Sequence, residues 1–131
     1  MRVNMTTEYA LRMLQTIYFA DHKIVTSKVI SQKENISNGS AMKILKKLRD
    51  NDIVASHQGR GESVGGFSMK ANLKEITLYD IILIMKDPIM LLPLKESQHY
   101  NITKELQRVN RNLMQDLKKK SLYEIFVGSQ N

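Results

Sequence analysis

Cysteine is absent from this sequence of 131 residues. The chain can therefore form no disulfide, no thiolate metal site and no cysteine nucleophile. Proline and glycine, which are common in loops, are scarce, with two and six residues. Their low number favours a mainly helical protein. No apolar run approaches the roughly 18 residues of a membrane span, and Glu8 and Arg12 interrupt the first apolar stretch. We therefore expect a cytoplasmic protein with no membrane partner.

The chain has an excess of basic residues, with 20 Lys and Arg against 13 Asp and Glu and a net charge of +7. Such an excess suits a polyanion such as nucleic acid, although many basic proteins bind none. Its location is more informative. Between Lys28 and Arg60 there are seven basic and three acidic residues, so a quarter of the chain carries +4 of the charge.

The first predicted helix covers residues 7–20, and Thr6 or Thr7 can cap its start. Its apolar face is formed by residues at helical spacing, namely Ala10, Leu11, Leu14, Ile17 and Tyr18. These residues predict one helix packed against a core.

A second, short helix is predicted to open at Thr26 or Ser27 and to end near Glu34. Val29 and Ile30 supply its apolar side. The chain must then turn at Asn35, and asparagine tolerates the left-handed conformation better than most residues.

The third predicted helix begins after Ser37, a good N-cap, and runs to about Asp50. Its buried stripe consists of Ala41, Ile44, Leu45 and Leu48. The opposite side has three lysines and no acid, and consists of Gly39, Met42, Lys43, Lys46 and Lys47. An ordinary surface helix mixes both signs of charge, so this face is typical of a helix that enters the major groove of DNA.

Two further features of this helix favour a phosphate partner. Gly39 costs about 1 kcal/mol of helix propensity relative to alanine, and a close approach of the backbone to a phosphate would compensate for that cost. The N–H groups that follow Ser37 at the helix start also favour a phosphate.

Two short β-like runs, residues 53–57 and 67–69, follow the third helix. Residues 58–66 between them contain four of the six glycines together with Arg60, as in a flexible hairpin tip that carries a basic residue. Two helices joined by a tight turn and followed by such a hairpin make a winged helix-turn-helix. We therefore predict a mainly α fold with a small β-hairpin wing, and a DNA-binding domain at residues 1–75.

Residues 76–131 are predicted to form a helical linker and dimerisation region. Thr77 and Asp80 have the spacing of a capping box and open a fourth helix, which Asp87-Pro88 closes. An irregular stretch at 86–101 precedes a long helix at about 102–119 and a short apolar element at 122–127. The long helix has an apolar stripe: Ile102, Leu106, Val109, Leu113 and Leu117.

Several segments carry a family resemblance: MRVNMTTEYALRML at the start, Ile36-Ser37 followed by LKKLR and Ile53-Val54, Gly65-Gly66-Phe67, and ITLYDII at 76–82. In this order they resemble the Rrf-two (IscR/NsrR/CymR) family of winged-helix transcription regulators over nearly the whole chain. The family implies a homodimer whose long C-terminal helix crosses to the partner subunit, so that two reading helices and two wings address a palindromic operator. The stripe of the long helix fits that role; the alternative is that this helix packs on its own domain.

The resemblance implies base contacts from Ser40, Met42 and Lys43, and phosphate contacts from Ser37 and its neighbours. Some family members have an acidic residue where Met42 stands; methionine cannot accept a hydrogen bond from cytosine but can contact a thymine methyl. The wing also departs from the family, with about three extra residues after Gln58-Gly59, and Arg60 is the candidate minor-groove probe. The predicted DNA-binding residues are Thr26, Ser27, Lys28, Ser37, Asn38, Gly39, Ser40, Met42, Lys43, Lys46, Lys47, Gln58, Gly59 and Arg60.

Many members of this family hold an iron–sulfur cluster through three cysteines before the long helix. A cysteine-ligated cluster is excluded here by composition, and we expect neither a cofactor nor a metal site. His99 lies in the corresponding segment, but one histidine is more often a surface residue than a ligand. His57 either meets a phosphate when protonated or is simply exposed, and His22 is a loop residue. The apolar run 89–94 either fills the core or lines a pocket for a small-molecule effector or a partner protein.

The leading hypothesis is a sequence-specific, homodimeric regulator of transcription, expected to be a repressor, that binds double-stranded DNA. Lys43 would read a base, whereas Lys46 and Lys47 would contact phosphates. The alternative is a protein-interaction module whose C-terminal half binds a metabolic enzyme. An enzyme is not expected, because the sequence shows no paired carboxylates and no nucleophile–base pair, and its glycine-rich stretch lies between strands rather than before a helix.

Overall fold

The computed structural model describes residues 5–21, 23–59, 65–86 and 101–128. Within these ranges there are six α-helices and one two-stranded antiparallel sheet. The elements are α1 (Met5–Phe19), α2 (Ser27–Glu34), α3 (Asn38–Asp50), β1 (Val54–His57), β2 (Gly66–Met69), α4 (Leu78–Ile84), α5 (Asn101–Leu117) and α6 (Leu122–Gly128), with a 3-10 turn at Leu73–Glu75. The predicted fold class, mainly α with a small β-hairpin, is confirmed.

The chain divides into two compact units, which among the described residues comprise 5–72 and 73–128. The first unit contains α1 to α3 and both strands, and the second contains α4 to α6. The predicted division into a DNA-binding domain at 1–75 and a helical linker and dimerisation region at 76–131 stays a prediction.

In the first unit, α1 packs against α2, α3 and β2, and α3 packs against β1. The core that results is apolar and consists chiefly of Ala10, Met13, Leu14, Ile17, Ile30, Ala41, Leu45, Leu48, Val54 and Phe67. The stripe predicted for α3 is confirmed, because all four of its members are buried. The opposite face of α3 is thereby turned toward solvent.

The prediction for α1 was wrong in two respects. The helix begins at Met5, so Thr6 and Thr7 lie inside it, and Thr7 is buried rather than capping. Its buried face also includes Met13, whereas Leu11 and Tyr18 are only half-buried. The face is rotated because α1 is covered from two sides, by the other helices and by β2.

The apolar side predicted for α2 also needs correction at one residue. Val29 is 51% exposed, whereas Ser31 is buried next to Ile30. Ser31 tolerates burial because its hydroxyl donates a hydrogen bond to the carbonyl of Lys28 at 2.9 Å. Of the two helix starts that the sequence left open, Thr26 is the N-cap, and its Oγ1 accepts a hydrogen bond from the Val29 N–H at 3.2 Å.

The turn between α2 and α3 depends on Asn35, which has the predicted left-handed conformation with φ 55° and ψ 47°. Its N–H donates to the carbonyl of Gln32 at 3.3 Å, and the Ile36 N–H donates to the carbonyl of Ser31 at 3.0 Å. These two bonds close the last carbonyls of α2 in a Schellman arrangement. The chain then enters α3 with no intervening loop beyond Ile36 and Ser37.

The hairpin pairs Val54 with Met69 and His57 with Gly66 at its two ends. Val25 adds an isolated bridge on the other side of β2, where it exchanges two backbone hydrogen bonds of 2.9 and 2.8 Å with Phe67. The segment before α2 is therefore tied to the base of the wing, a pairing that the sequence pattern did not predict.

In the second unit, the Thr77 N–H donates to the Asp80 carboxylate at 2.9 Å, as the capping box predicts. The helix that it opens ends at Ile84, earlier than predicted from Asp87-Pro88, because Lys86 has a left-handed φ of 59°. The long helix, α5, begins at Asn101 and ends at Leu117. The last apolar element is the helix α6, which is tied to the start of α4 by a 2.7 Å bond from the Leu122 N–H to the carbonyl of Ile76.

Candidate nucleic-acid interface

The start of α3 is capped by Ser37, whose extended backbone has φ −65° and ψ 150°. Its Oγ accepts a hydrogen bond from the Ser40 N–H at 3.1 Å. The other N–H groups of the first turn, at Asn38 and Gly39, have no acceptor within a helix, and both residues are exposed. A helix start of this kind combines N–H donors with the positive end of the helix dipole, so it can bind an anion such as phosphate.

Gly39 lies in open space on this first turn. A Cβ added to it would meet no atom within 4 Å, so no contact within the described chain requires glycine there. Glycine has a lower helix propensity than alanine, and packing within the described chain gives no reason for it here. An external surface that approaches the backbone closely would account for it.

The outer face of α3 is basic and exposed. Ser40, Lys43, Lys46 and Lys47 are all exposed, and Met42 between them is half-buried. Within the described ranges none of these lysines takes part in an ion pair; the nearby Arg49, by contrast, is paired with Asp50 at 3.0 Å. Three uncompensated positive charges thus project from the helix face opposite the core.

The beginning of α2 offers a smaller set of the predicted contacts. Lys28 is exposed, whereas Thr26 and Ser27 are half-buried. The Thr26 hydroxyl uses one lone pair as the N-cap acceptor, and a threonine hydroxyl also offers an O–H donor, the group that a phosphate oxygen requires.

The wing is built on two glycines that admit no side chain. A Cβ at Gly65 would lie 2.1 Å from the carbonyl oxygen of His57, and one at Gly66 would lie 2.5 Å from that of Val25. These close backbone approaches explain the glycines at the end of the wing. His57 is exposed, and its Nε2 lies 2.8 Å from the Ser68 hydroxyl across the hairpin. Gln58 and Gly59 are exposed, whereas the predicted minor-groove probe, Arg60, lies outside the described residues.

Sequence reasoning missed a groove of about 530 Å³ beside the exposed lysines of α3. The first turns of α1 contribute Met5, Thr6 and Tyr9 to it, and α3 contributes Ser40 and the three lysines. Ile36 and Ile44 complete its lining. The i, i+4 spacing of Met5 and Tyr9 is the one signal in the sequence, and periodicity within α1 does not show that α3 lies beside it.

A family model described as "Rrf2: Iron-dependent Transcriptional regulator" matches residues 3–126 of the chain. The chain belongs to the Rrf2 family. The match to the family model covers residues of both compact units, so the resemblance inferred from the sequence is confirmed. The family is one of transcription regulators. A comparison with curated protein sequences gave no match.

Solved structures of Rrf2-type regulators have the same fold as the chain. CymR (YrzC), the global cysteine regulator of B. subtilis, aligns with a TM-score of 0.80 at 22% identity, covering 97% of both chains. A putative transcriptional regulator from Listeria innocua has a TM-score of 0.78 at 26% identity, covering 100% of this chain and 90% of that one. IscR of T. potens has a TM-score of 0.74 at 18% identity, with 98% and 88% covered.

The residues of this Rrf2 protein do not fit a cysteine-ligated iron–sulfur cluster. Cluster irons take thiolate ligands, and the sequence contains no cysteine. The described residues also bring no three His, Asp or Glu side chains together as a metal-binding group. His22, His99 and the apolar run 89–94, for which the sequence left two interpretations open, lie outside the described residues.

The stripe predicted for dimerisation lies along α5 of this Rrf2 protein. Ile102 is 65% exposed, and the other four members, Leu106, Val109, Leu113 and Leu117, are half-buried. The single buried residue of this 17-residue helix is Asn110. The apolar side of α5 is therefore only partly covered by its own chain.

Among the described residues no helix is long and apolar enough to cross a membrane.

Proposed function

We propose that this Rrf2 protein is a homodimeric, sequence-specific DNA-binding regulator that represses transcription from a palindromic operator and carries no cysteine-ligated cluster. The observation that carries the proposal is the outer face of α3, where Lys43, Lys46 and Lys47 are exposed and unpaired among the described residues. The inner face of the same helix is fully buried, so the lysines are held in fixed register on a rigid support.

The roles of individual residues follow from their positions along α3. Lys43 projects from the middle of the exposed face, where a helix in the major groove meets base edges. Lys46 and Lys47 lie one turn later and are assigned to phosphates, with the N–H groups of Asn38 and Gly39 as a further phosphate contact at the other end. Met42 is assigned to a thymine methyl, because its thioether offers apolar contact rather than a strong acceptor.

The proposed dimer rests on the incompletely covered stripe of α5. A twofold pair of these helices would bury the apolar side chains against each other, with each residue contributing twice. Two reading helices related in this way address half-sites about 34 Å apart, one turn of DNA. A palindromic operator is the sequence counterpart of that symmetry.

The test begins by selecting bound duplexes from random-sequence DNA and measuring their affinities by fluorescence anisotropy. Lys43→Ala should relax the preference at one base pair per half-site by about 1–3 kcal/mol. Lys46→Ala should weaken binding to all duplexes alike and reduce the salt dependence by about one phosphate contact per half-site, or about two per dimer. Lys104→Ala removes the same charge from an exposed position of α5 and should change neither property. Equal affinity for selected and random duplexes would contradict sequence-specific binding.

A further inference from the structure

The groove between the first turns of α1 and the side of α3 has apolar lining residues, for which a DNA phosphate is not a suitable partner. We infer that it binds a small amphipathic anion, an aromatic or branched-chain acid, and that this ligand and DNA exclude each other. The exclusion rests on the proposed function, whereas the binding of the acid does not.

The size of the groove fits a small molecule. Its volume is about 530 Å³, and ligand sites commonly enclose roughly 300–1,000 Å³. The described residues that line it all belong to the unit formed by residues 5–72, and the packing of α1 against α3 shapes it.

Much of the groove's lining is apolar. Met5, Tyr9, Ile36 and Ile44 contribute to it, and Met5 is 62% exposed. A phosphodiester gains little from such residues, because its oxygens require hydrogen-bond donors. An aromatic ring or a branched alkyl group gains by removing these side chains from water. The apolar lining therefore selects a ligand with an apolar body.

The charged part of the groove's lining is cationic. Lys43, Lys46 and Lys47 contribute to it, and among the residues that the structure describes no acidic one does. Glu8, which lies between Met5 and Tyr9 in sequence, is paired with Arg12 at 3.2 Å. An acid group is therefore attracted to the three lysines, whose side chains can act as charge-assisted donors. The combination of apolar and cationic lining matches one class of ligand, a carboxylate, sulfonate or phosphate ester with an apolar body.

The same three lysines are assigned to DNA in the proposed function. A bound acid would neutralise part of their charge and occupy the side of α3 that must enter the major groove. Direct competition follows, without any change of conformation.

Anilinonaphthalene sulfonate, an aromatic acid that fluoresces in apolar surroundings, is the probe. Titration of the full chain should give one dye per protomer. Lys43→Ala and Tyr9→Ala should each weaken dye binding at least about tenfold, whereas Lys33→Ala, an exposed lysine outside the groove, should leave it unchanged. Methanesulfonate, which has the acid group without the apolar body, should not displace the dye at equal concentration. Thermal unfolding identifies any variant that fails to fold, and Lys43 is exposed, so its truncation leaves the core intact.

Each outcome decides one part of the inference. Unchanged dye affinity in Lys43→Ala, or equal displacement by methanesulfonate, would overturn the site. Addition of a selected DNA duplex should displace the dye, and a ternary complex would overturn the exclusion. Loss of sequence-specific DNA binding alone would remove the proposed function but leave the dye titration valid, so the two failures are distinguishable.

Discussion

The left-handed conformation of Asn35 predicts how substitutions at this position change the stability of the protein. Asn35 is exposed and has φ 55°, so replacing it removes little packing and tests the backbone alone. Alanine in this conformation costs about 1–2 kcal/mol. Glycine carries no such strain but has greater freedom in the unfolded chain, which costs about 0.4–1 kcal/mol. Asn35→Gly should therefore be more stable than Asn35→Ala by about 1 kcal/mol.

Asn51, at the end of α3, is the matched control. It is also an exposed asparagine at a helix end, but its φ is −102°. Its side-chain amide donates to the carbonyl of Lys47 at 2.8 Å, and both Asn51→Gly and Asn51→Ala lose that bond equally. The order must be reversed at this position, with alanine more stable than glycine by about 0.4–1 kcal/mol.

Urea denaturation of the four variants, followed by circular dichroism, gives both differences. At position 35 a difference of about 1 kcal/mol corresponds to a shift of roughly 3–5 °C in the thermal midpoint for a chain of this size. Equal stability of the glycine and alanine variants at position 35, with the expected order at position 51, would refute the conclusion that a left-handed residue closes α2.

Three further changes test the core, the dimer and an ion pair. Leu45→Ala removes a fully buried side chain of α3 and should lower the free energy of unfolding by about 2–5 kcal/mol in urea denaturation; a loss below 1 kcal/mol would contradict its burial. Leu113→Ala removes a half-buried side chain from the proposed interface, about 1 kcal/mol per protomer, and should weaken the dimer about 30-fold in sedimentation equilibrium; an unchanged monomer–dimer constant would argue against α5. A hydrogen bond from Arg108 holds the pKa of Glu105 below its ordinary value of 4.5. The pair therefore adds stability above pH 4.5. That contribution disappears as the pH falls through the lowered pKa of Glu105. In thermal unfolding, Glu105→Gln should therefore have a lower midpoint than the parent at neutral pH and the same midpoint in acid.

The elements of the first unit that the sequence predicted well are those determined by neighbouring residues. Ser37 and Thr26 cap helices because a short hydroxyl reaches an N–H three residues away. The stripe of α3 follows from a period of 3.6 residues, and its basic face is what that period leaves outside. The lysine face of the candidate interface was therefore accessible from sequence.

The features that sequence reasoning missed depend on what a residue meets across space. Val29 has an apolar side chain of the kind that fills protein cores, but the residues of α2 that are buried are Ile30 and Ser31. The pairing of Val25 with Phe67 joins residues 42 positions apart, and no local periodicity encodes it. The groove beside α3 likewise exists only because Tyr9 of α1 is brought alongside. Tertiary packing determines the burial of α2, the pairing of Val25 with Phe67 and the groove, so residue propensity and sequence spacing could not predict them.

The absence of cysteine and the position of the groove bear on how such a regulator responds to a signal. A cluster near the dimer helix would have to alter the reading helices through the protein, and this chain lacks the thiolates to hold one. A ligand that shares its lysines with DNA needs no such coupling, because occupied groove and bound operator are exclusive states. At a ligand concentration of ten times its dissociation constant, each protomer loses about 11-fold in availability for DNA. In the proposed dimer both grooves must be free for operator binding, so the two factors multiply to about 120-fold, or nearly 3 kcal/mol. A ligand that reaches ten times its dissociation constant therefore weakens operator binding about 120-fold, provided that the two reading helices of the proposed dimer act together.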